Sequence, residues 1–289
     1  VVSAKEIVMR LARIARAVGP TLPAVGMVLL LAGPAIADVP AIKELVARKA
    51  EVLTNMHRKA SSAIVNVAQD GAFVDYFKAT DETARAALKQ RIEVITLATQ
   101  ANFHVGEMCL IDKAGVERTR IVGSKVATDL SSDESSNLFF VPAMAQRPRT
   151  AYVTPAYISA DVHKWVIAYT SAVQIDGQTV AVLHYEHELG LYQHALEGDI
   201  PAGRHLLGVD KGGYILADSA NEPAVGEREK ADKPSDYFQQ LSLAGGLDAM
   251  IKTLGGGTSG AGMITSEGKS YAVAYQQVQD WTVVGIEAQ

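Results

Sequence analysis

The sequence predicts an α+β fold in which a long N-terminal helical lead-in precedes two small antiparallel sheets. Three observations carry that prediction. Apolar residues recur at spacings of three and four from Ile42 to Val67, the period of one helix face. Three β-rich runs, 151–159, 165–173 and 179–189, follow one another with short polar connectors at 160–164 and Asp176-Gly177. A hairpin at 205–217 and closing strands at 262–266, 270–278 and 281–287 repeat that succession near the C-terminus.

In chain order, Lys5, Arg10, Arg13 and Arg16 precede an apolar stretch at 18–37 that ends Ala35-Ile36-Ala37. Basic region, apolar region and A-x-A is the layout of a secretory signal peptide. Three prolines and three glycines interrupt the stretch, leaving an apolar heart at 25–32, short of the about 20 residues that span a bilayer. Cleavage is therefore expected over a retained N-terminal membrane anchor. Either way the rest of the chain belongs in the periplasm or outside the cell.

The first helix follows Asp38, with Ile42, Leu45, Val46, Lys49, Val52, Leu53, Met56, Ile64 and Val67 along one stripe, and stops at Asp70-Gly71. A second starts at Thr80 or Asp81 and runs through Leu88, Ile92 and Ile95 to about Ala101. No heptad pattern is long enough for a stable coiled coil, which leaves homo-oligomerisation through this spine open. Strands at 105–112 and 116–122 flank the turn Asp112-Lys113-Ala114-Gly115 and open the first sheet. A short helix at 138–145 and a basic turn, Arg147-Pro148-Arg149, lead into the three β-rich runs. A helix at 190–197 leaves this unit, and 199–203 is the linker. Beyond it, the hairpin turns at 210–213, the charged stretch 221–236 is a solvated loop, and an amphipathic stretch at 237–254 is broken by Gly245-Gly246. The expected boundaries are 1–37 for the leader or anchor, 38–103 for the helical lead-in, 104–198 for the first sheet domain and 199–289 for a second, smaller one.

Composition narrows the functional classes. With 289 residues, 48% hydrophobic and 20% charged, the chain can bury the cores of two modest domains. A net charge of −5 without a basic stripe argues against a nucleic-acid partner. The single cysteine, Cys109, excludes a disulfide within the chain and a metal site built from cysteines. Its apolar strand context, GEMCLID, reads as an inert core residue.

The remaining motifs point away from catalysis. The run GGGTSGAG at 255–262 lacks the Lys-Ser/Thr of a phosphate loop and precedes a strand, so it reads as a connector. In His184-Tyr185-Glu186-His187-Glu188, strand alternation puts His184, Glu186 and Glu188 on one face and Tyr185 and His187 on the other. Such residues lie about 7 Å apart along a strand, too spread to chelate tightly, so no metal or cofactor is expected. No G-x-S-x-G elbow occurs.

The residues of 129–189 describe a small-ligand pocket better than a catalytic site. Tyr152, Tyr157, Trp165 and Tyr169 are placed to line a concave face, with Ser171, His184 and Glu186 as polar groups, Arg147 at the rim and Phe140 from the short helix.

The stretch resembles the extracytoplasmic sensor domains called double Cache, or PDC, domains. The resemblance is carried by DLSSDES (129–135), TPAYIS (154–159), KWVIAYTSAV (164–173), the Asp176-Gly177 turn before a strand reaching Glu186, and a weaker echo in YAVAYQQVQDWTVVGIEA (271–288). It implies two PAS-like sheets behind a long helix, and a non-catalytic module that binds a small molecule and reports occupancy to a membrane-bound signalling partner. Members that sense amino acids carry an Arg followed by Trp-Tyr ahead of the meander and an Asp on the last strand. Here the matching positions read Asn137-Leu138-Phe139-Phe140, with no cation, and Glu186, which argues against an α-amino acid and for an uncharged or mixed-charge small ligand, Glu186 favouring an amine or hydroxyl. The alternative is a Cache-like scaffold with a side-chain-filled pocket, serving as an accessory subunit of an envelope or surface assembly.

Overall fold

The computed structural model describes residues 38–103, 106–221 and 234–289; the leader or anchor reading of 1–37 and most of the 221–236 loop lie outside them. The described residues open with helix α1 (Val39–Ala68), 30 residues and so about 45 Å long. Asp38 caps it by accepting from the backbone N–H of Ala41 at 3.1 Å, and Pro40 sits in the first turn, where no intrahelical N–H bond is lost. Its buried stripe runs Ile42, Leu45, Val46, Ala50, Leu53, His57, Ala60 and Ile64. At Asp70 the chain does not simply turn. Asp70 accepts from Ala72 N–H and starts a second short helix, α2 (Gly71–Lys78). Helix α3 (Glu82–Phe103) follows, with the Asp81 carboxylate accepting from Ala84 N–H at 2.7 Å.

The first sheet holds β1 (Glu107–Asp112), β2 (Glu117–Val122), β3 (Lys125–Val126), β4 (Ala151–Val153), β5 (Tyr157–Ile158), β6 (Trp165–Ile175) and β7 (Gln178–Glu188). Its order is β3-β2-β1-β7-β6-β4, with β5 also on β6, and every pairing is antiparallel. The run at 151–159 is thus two short strands, interrupted at Pro155, which has no N–H to give a ladder. Helix α4 (Phe140–Met144) precedes β4, and α5 (Leu189–Glu197) leaves the sheet. The second sheet holds β8 (Arg204–Asp210), β9 (Ile215–Asp218), β10 (Ser259–Ser266), β11 (Lys269–Val278) and β12 (Trp281–Ala288), in the order β10-β11-β12-β8-β9. Of the amphipathic stretch at 237–254 only α6 (Leu247–Thr253) is α-helical, after Gly246 at φ 110°. The glycine connector is shorter than expected, because Ser259–Gly262 already belongs to β10.

Both sheets share one topology: an opening hairpin, then a final strand that returns to pair with the first. Helix α1 spans them. One apolar core runs from Ile42 through Leu53 and Ile64 of α1 to Trp165 and Leu183 of the first sheet and Ala272, Trp281 and Val283 of the second. Gly285 on β12 marks the closest approach, since a Cβ there would lie 2.5 Å from Val46 Cγ2 and 3.0 Å from Ile42 Cδ1. Among the described residues no helix is long and apolar enough to cross a membrane.

Candidate functional site

The register of two neighbouring strands builds the site. Cys109 on β1 sits directly opposite His184 on β7, so their side chains share the sheet face turned away from α1. Glu107 and Glu186, each two residues along, fall on that same face. All four side chains are at most 3% exposed. They floor a cavity of 210 Å³. Tyr157, Ser159 and Asp161 form one wall, and Asp133, Glu134, Asn137 and Phe139 form the other. Phe139 stacks on His184 with ring centroids 4.0 Å apart. The acidic wall is seated by Gly115, whose φ of +83° a β-carbon would strain and whose Cα hydrogen faces Asp133. The Gly115 carbonyl accepts from Glu134 N–H at 2.7 Å.

Tyr157 joins the floor together. Its hydroxyl donates to Glu186 Oε1 at 2.6 Å and lies 2.8 Å from His184 Nε2. Because the hydroxyl proton goes to the carboxylate, His184 Nε2–H donates to the hydroxyl, and Nδ1 carries the lone pair. That lone pair faces Cys109 Sγ at 3.5 Å, while the thiol donates to Glu107 Oε1 at 2.7 Å. Glu107 also accepts from Ser159 Oγ at 3.3 Å. Glu186 Oε2 is buried without a hydrogen-bond partner.

The electrostatics are one-sided. Glu107, Asp133, Glu134, Asp161 and Glu186 line the cavity, and no lysine or arginine does among the described residues. The nearest fixed cation is Arg120, which is already bound to Asp161 at 2.6 Å, Asp129 at 2.8 Å and Glu117 at 3.7 Å. Burial raises the pKa of both Glu107 and Glu186, and the neighbouring Glu186 adds to the rise at Glu107. Burial lowers His184 to about 3, so its contact with Glu186 is between a neutral ring and a carboxyl group. Burial and then Glu107 hold the Cys109 thiol well above its usual range, the reverse of an activated nucleophile. The arrangement suits a bound cation or a hydrogen-bond donor.

Of the candidate residues, the structure brings Tyr157, His184 and Glu186 together. Phe140 and Tyr152 lie on the same face but belong to the apolar patch of Ile111, Ala143 and Val182 behind the cavity. Trp165, Tyr169 and Ser171 are on the opposite face. Tyr169 pairs with Tyr185 and Ser171 with Leu183, and directly opposed residues point the same way. Trp165 packs on Tyr237 and Phe238, and Tyr169 bonds His57 Nδ1 at 2.6 Å and the Tyr192 hydroxyl at 2.7 Å. Arg147 is exposed and absent from the rim. Its turn feeds β4, whose Ala151 pairs with Ser171, three residues and so about 10 Å along β6 from the Ala168 that faces Glu186. Glu107, Cys109, Ser159, Asp161 and Phe139 were missed by sequence reasoning. Cys109 is, as its apolar strand context suggests, a buried core residue with an unactivated thiol, and it also lines the cavity.

A second cavity, 310 Å³ and lined by Tyr76, Phe77, Arg85, Asp112 and Arg118, lies at the α2–α3 end. Most of its charges are paired with each other or with the backbone: Arg118 pairs with Asp112, and Arg85 donates to the Ala79 carbonyl at 2.5 Å, while Lys113 also lines it. The acidic cavity is the stronger site.

No protein-family model and no curated protein matches the sequence. Solved structures do match. The sensory domain of the Campylobacter jejuni chemoreceptor Tlp3 with isoleucine bound superposes with a TM-score of 0.66 at 16% identity, covering 86% of this chain and 92% of that one. The fold is that of double Cache sensory domains. An extracellular domain assigned to a histidine kinase, vpHK1S-Z8, matches with a TM-score of 0.64 at 14% identity over 86% of this chain and 92% of its own. The ligand-binding domain of the Pseudomonas fluorescens chemoreceptor CtaA in complex with L-serine gives 0.56 at 16% identity, over 86% and 96%. The double Cache fold accounts for the shared topology of the two sheets and for the helix that spans them.

Proposed function

We propose that this chain is an exported, non-catalytic sensing module whose first sheet domain, 104–198, binds a small molecule carrying an ammonium or hydroxyl group. The observation that carries the reading is the acidic cavity around Tyr157, His184 and Glu186, on a fold whose solved examples include ligand-binding domains of chemoreceptors and an extracellular kinase domain. At 210 Å³ the cavity is below the usual range for drug-sized ligands and suits a compact amine or polyol. An amino acid would find a partner for its ammonium at Glu186 but none for its carboxylate. Occupancy would reach a membrane-bound partner through β7 and α1. Strand β7 presents His184 and Glu186 to the cavity and Tyr185 and His187 to the helix side, where His187, Tyr192, Tyr169 and His57 form one aromatic cluster.

A thermal-shift screen of the full chain against amines, polyols, amino acids, organic acids and purines tests this. A ligand at a hundred times its Kd stabilises the native state by about 2.7 kcal/mol. Hits are expected among amines and hydroxyl compounds and are expected to vanish in Glu186→Gln. A shift produced only by carboxylates, or one indifferent to Glu186→Gln, would overturn the assignment.

A further inference from the structure

The floor of the cavity is also a donor set. Glu107, Cys109 and His184 each offer one ligand atom, all within 4.8 Å of one another and all buried. We propose that these three residues bind a divalent transition-metal ion, Zn²⁺ being the best chemical match, with a fourth coordination position open to the cavity.

Four features of the geometry carry this. First, thiolate, imidazole and carboxylate are the donor types that zinc takes, and three protein ligands with one open position is its usual arrangement in non-structural sites. Second, the 3.5 Å between Cys109 Sγ and His184 Nδ1 equals the S···N edge of a tetrahedron, about 3.5 Å for Zn–S near 2.3 Å and Zn–N near 2.0 Å. Third, the hydrogen bonds leave the right lone pair free. Tyr157 fixes His184 with Nε2–H outward and Nδ1 towards Cys109, and the one thiol proton is taken by Glu107, so Nδ1 has no donor of its own. Fourth, Glu186 lines the same cavity with its Oε2 buried, which puts a second carboxyl group beside the donor set.

The donors come from one cross-strand pair and its neighbour, so they are two separate strands' side chains meeting across a ladder. Glu107 and Cys109 are themselves two residues apart along β1, but the longer Glu107 side chain folds back to 2.7 Å from Cys109 Sγ, so the spacing that rules out His184, Glu186 and Glu188 does not rule out this set. Binding exchanges the Cys109 thiol proton, and the proton that burial favours on the Glu107 carboxyl group, for the metal, both leaving to solvent; the Cys109–Glu107 hydrogen bond opens to make room. His184 then keeps a second partner that orients its ring, Tyr157, itself held by Glu186, as ligating histidines generally do. The inference rests on reading this cavity as the binding site. The metal would be either the sensed species itself or an anchor that takes a nitrogen or oxygen of the small ligand at its open position.

Cys109 is the only cysteine in the chain, which makes the test specific. Chelator-treated full-length protein is titrated with Co²⁺ and followed by absorption, then with Zn²⁺ in competition. One equivalent of Co²⁺ is expected to produce a thiolate-to-metal charge-transfer band and tetrahedral ligand-field bands, both bleached by Zn²⁺. Cys109→Ser is expected to lose the charge-transfer band while keeping the far-UV circular dichroism of the parent. Tyr157→Phe, which leaves all three ligands in place, is expected to keep the band and weaken Zn²⁺ binding by about 10- to 100-fold. A folded parent protein that shows no charge-transfer band, or a band that survives Cys109→Ser, overturns the metal site. The organic-ligand screen run on chelator-treated protein separates that failure from failure of the sensing reading: amine shifts dependent on Glu186 without metal leave sensing intact.

Discussion

Tyr157 shows what a single residue holds in this cavity. Its hydroxyl is the donor to Glu186 Oε1 and the acceptor for His184. Tyr157→Phe therefore leaves a buried carboxyl group without its donor and is expected to destabilise the protein by about 1–3 kcal/mol. Urea unfolding should show a lower midpoint at an unchanged slope; an unchanged midpoint would mean that water replaces the hydroxyl. How legible this residue and its neighbours were in the sequence depends on the range of the signal. Alternation along 184–188 put His184 and Glu186 on one face, because a strand's period of two is a local property. Tyr157 came with them through the resemblance of TPAYIS. Cys109 and Glu107 were not legible, since their place is set by the pairing of β1 with β7 across 75 residues of chain. Trp165 and Tyr169 were misplaced for the same reason: alternation within β6 was right, but only the register against β7 says which face of β6 the pocket occupies.

At the scale of the element, the extent of helix α1 and most of its stripe were readable because the apolar period is a local feature, although Val52 of the expected stripe is 42% exposed and the buried His57 was not in it. What it packs against was not readable. Gly285→Ala is expected to cost about 1–3 kcal/mol by overpacking, as the added methyl would overlap Val46. Val46→Ala in the same chain should recover part of that loss, which a double-mutant cycle of denaturation midpoints would measure. The middle of α1 also carries a pH dependence. His57 is 1% exposed and faces Tyr169, Tyr192 and His187, with Asp280 as the charge that favours its protonation. Burial lowers its pKa from 6.5 to about 4. The unfolded chain takes up this proton first. Stability is therefore complete above about pH 6.5 and falls as pH drops towards 4, by on the order of 3 kcal/mol. Denaturant unfolding between pH 7 and 4 should show a slope at least this steep, and His57→Leu should reduce it by the His57 share, with His187 and His184, whose pKa burial also lowers, carrying the rest. A slope unchanged in His57→Leu would assign the pH dependence to other groups.

Across the whole molecule, the two sheets repeat one topology with almost no repeated sequence, so the tandem arrangement was visible only as a succession of element types. The continuous core argues that they are not independent in stability. Residues of α1 from Ile42 to Ile64 are shared by both sheets, and Trp281 of the second sheet packs on His57 and on Tyr192 beside the first. Removing either sheet would expose the same helix stripe, although the second sheet also keeps a core on its other face, around Val209, Met250, Val273 and Val284. The chain's two tryptophans provide a test, because Trp165 lies in β6 and Trp281 in β12, one in each sheet. In Trp281→Phe the remaining fluorescence reports the first sheet, and in Trp165→Phe the second. Within each variant the fluorescence midpoint is expected to coincide with the far-UV circular dichroism midpoint, as a two-state transition requires. Fluorescence of one sheet changing ahead of the circular dichroism would show that sheet unfolding first. In that case α1 would be a passive linker, and a route from the cavity through His187 and His57 to a membrane partner would lose its physical basis. Coincident transitions mean instead that the helix and both sheets unfold as one cooperative unit, held by the core they share.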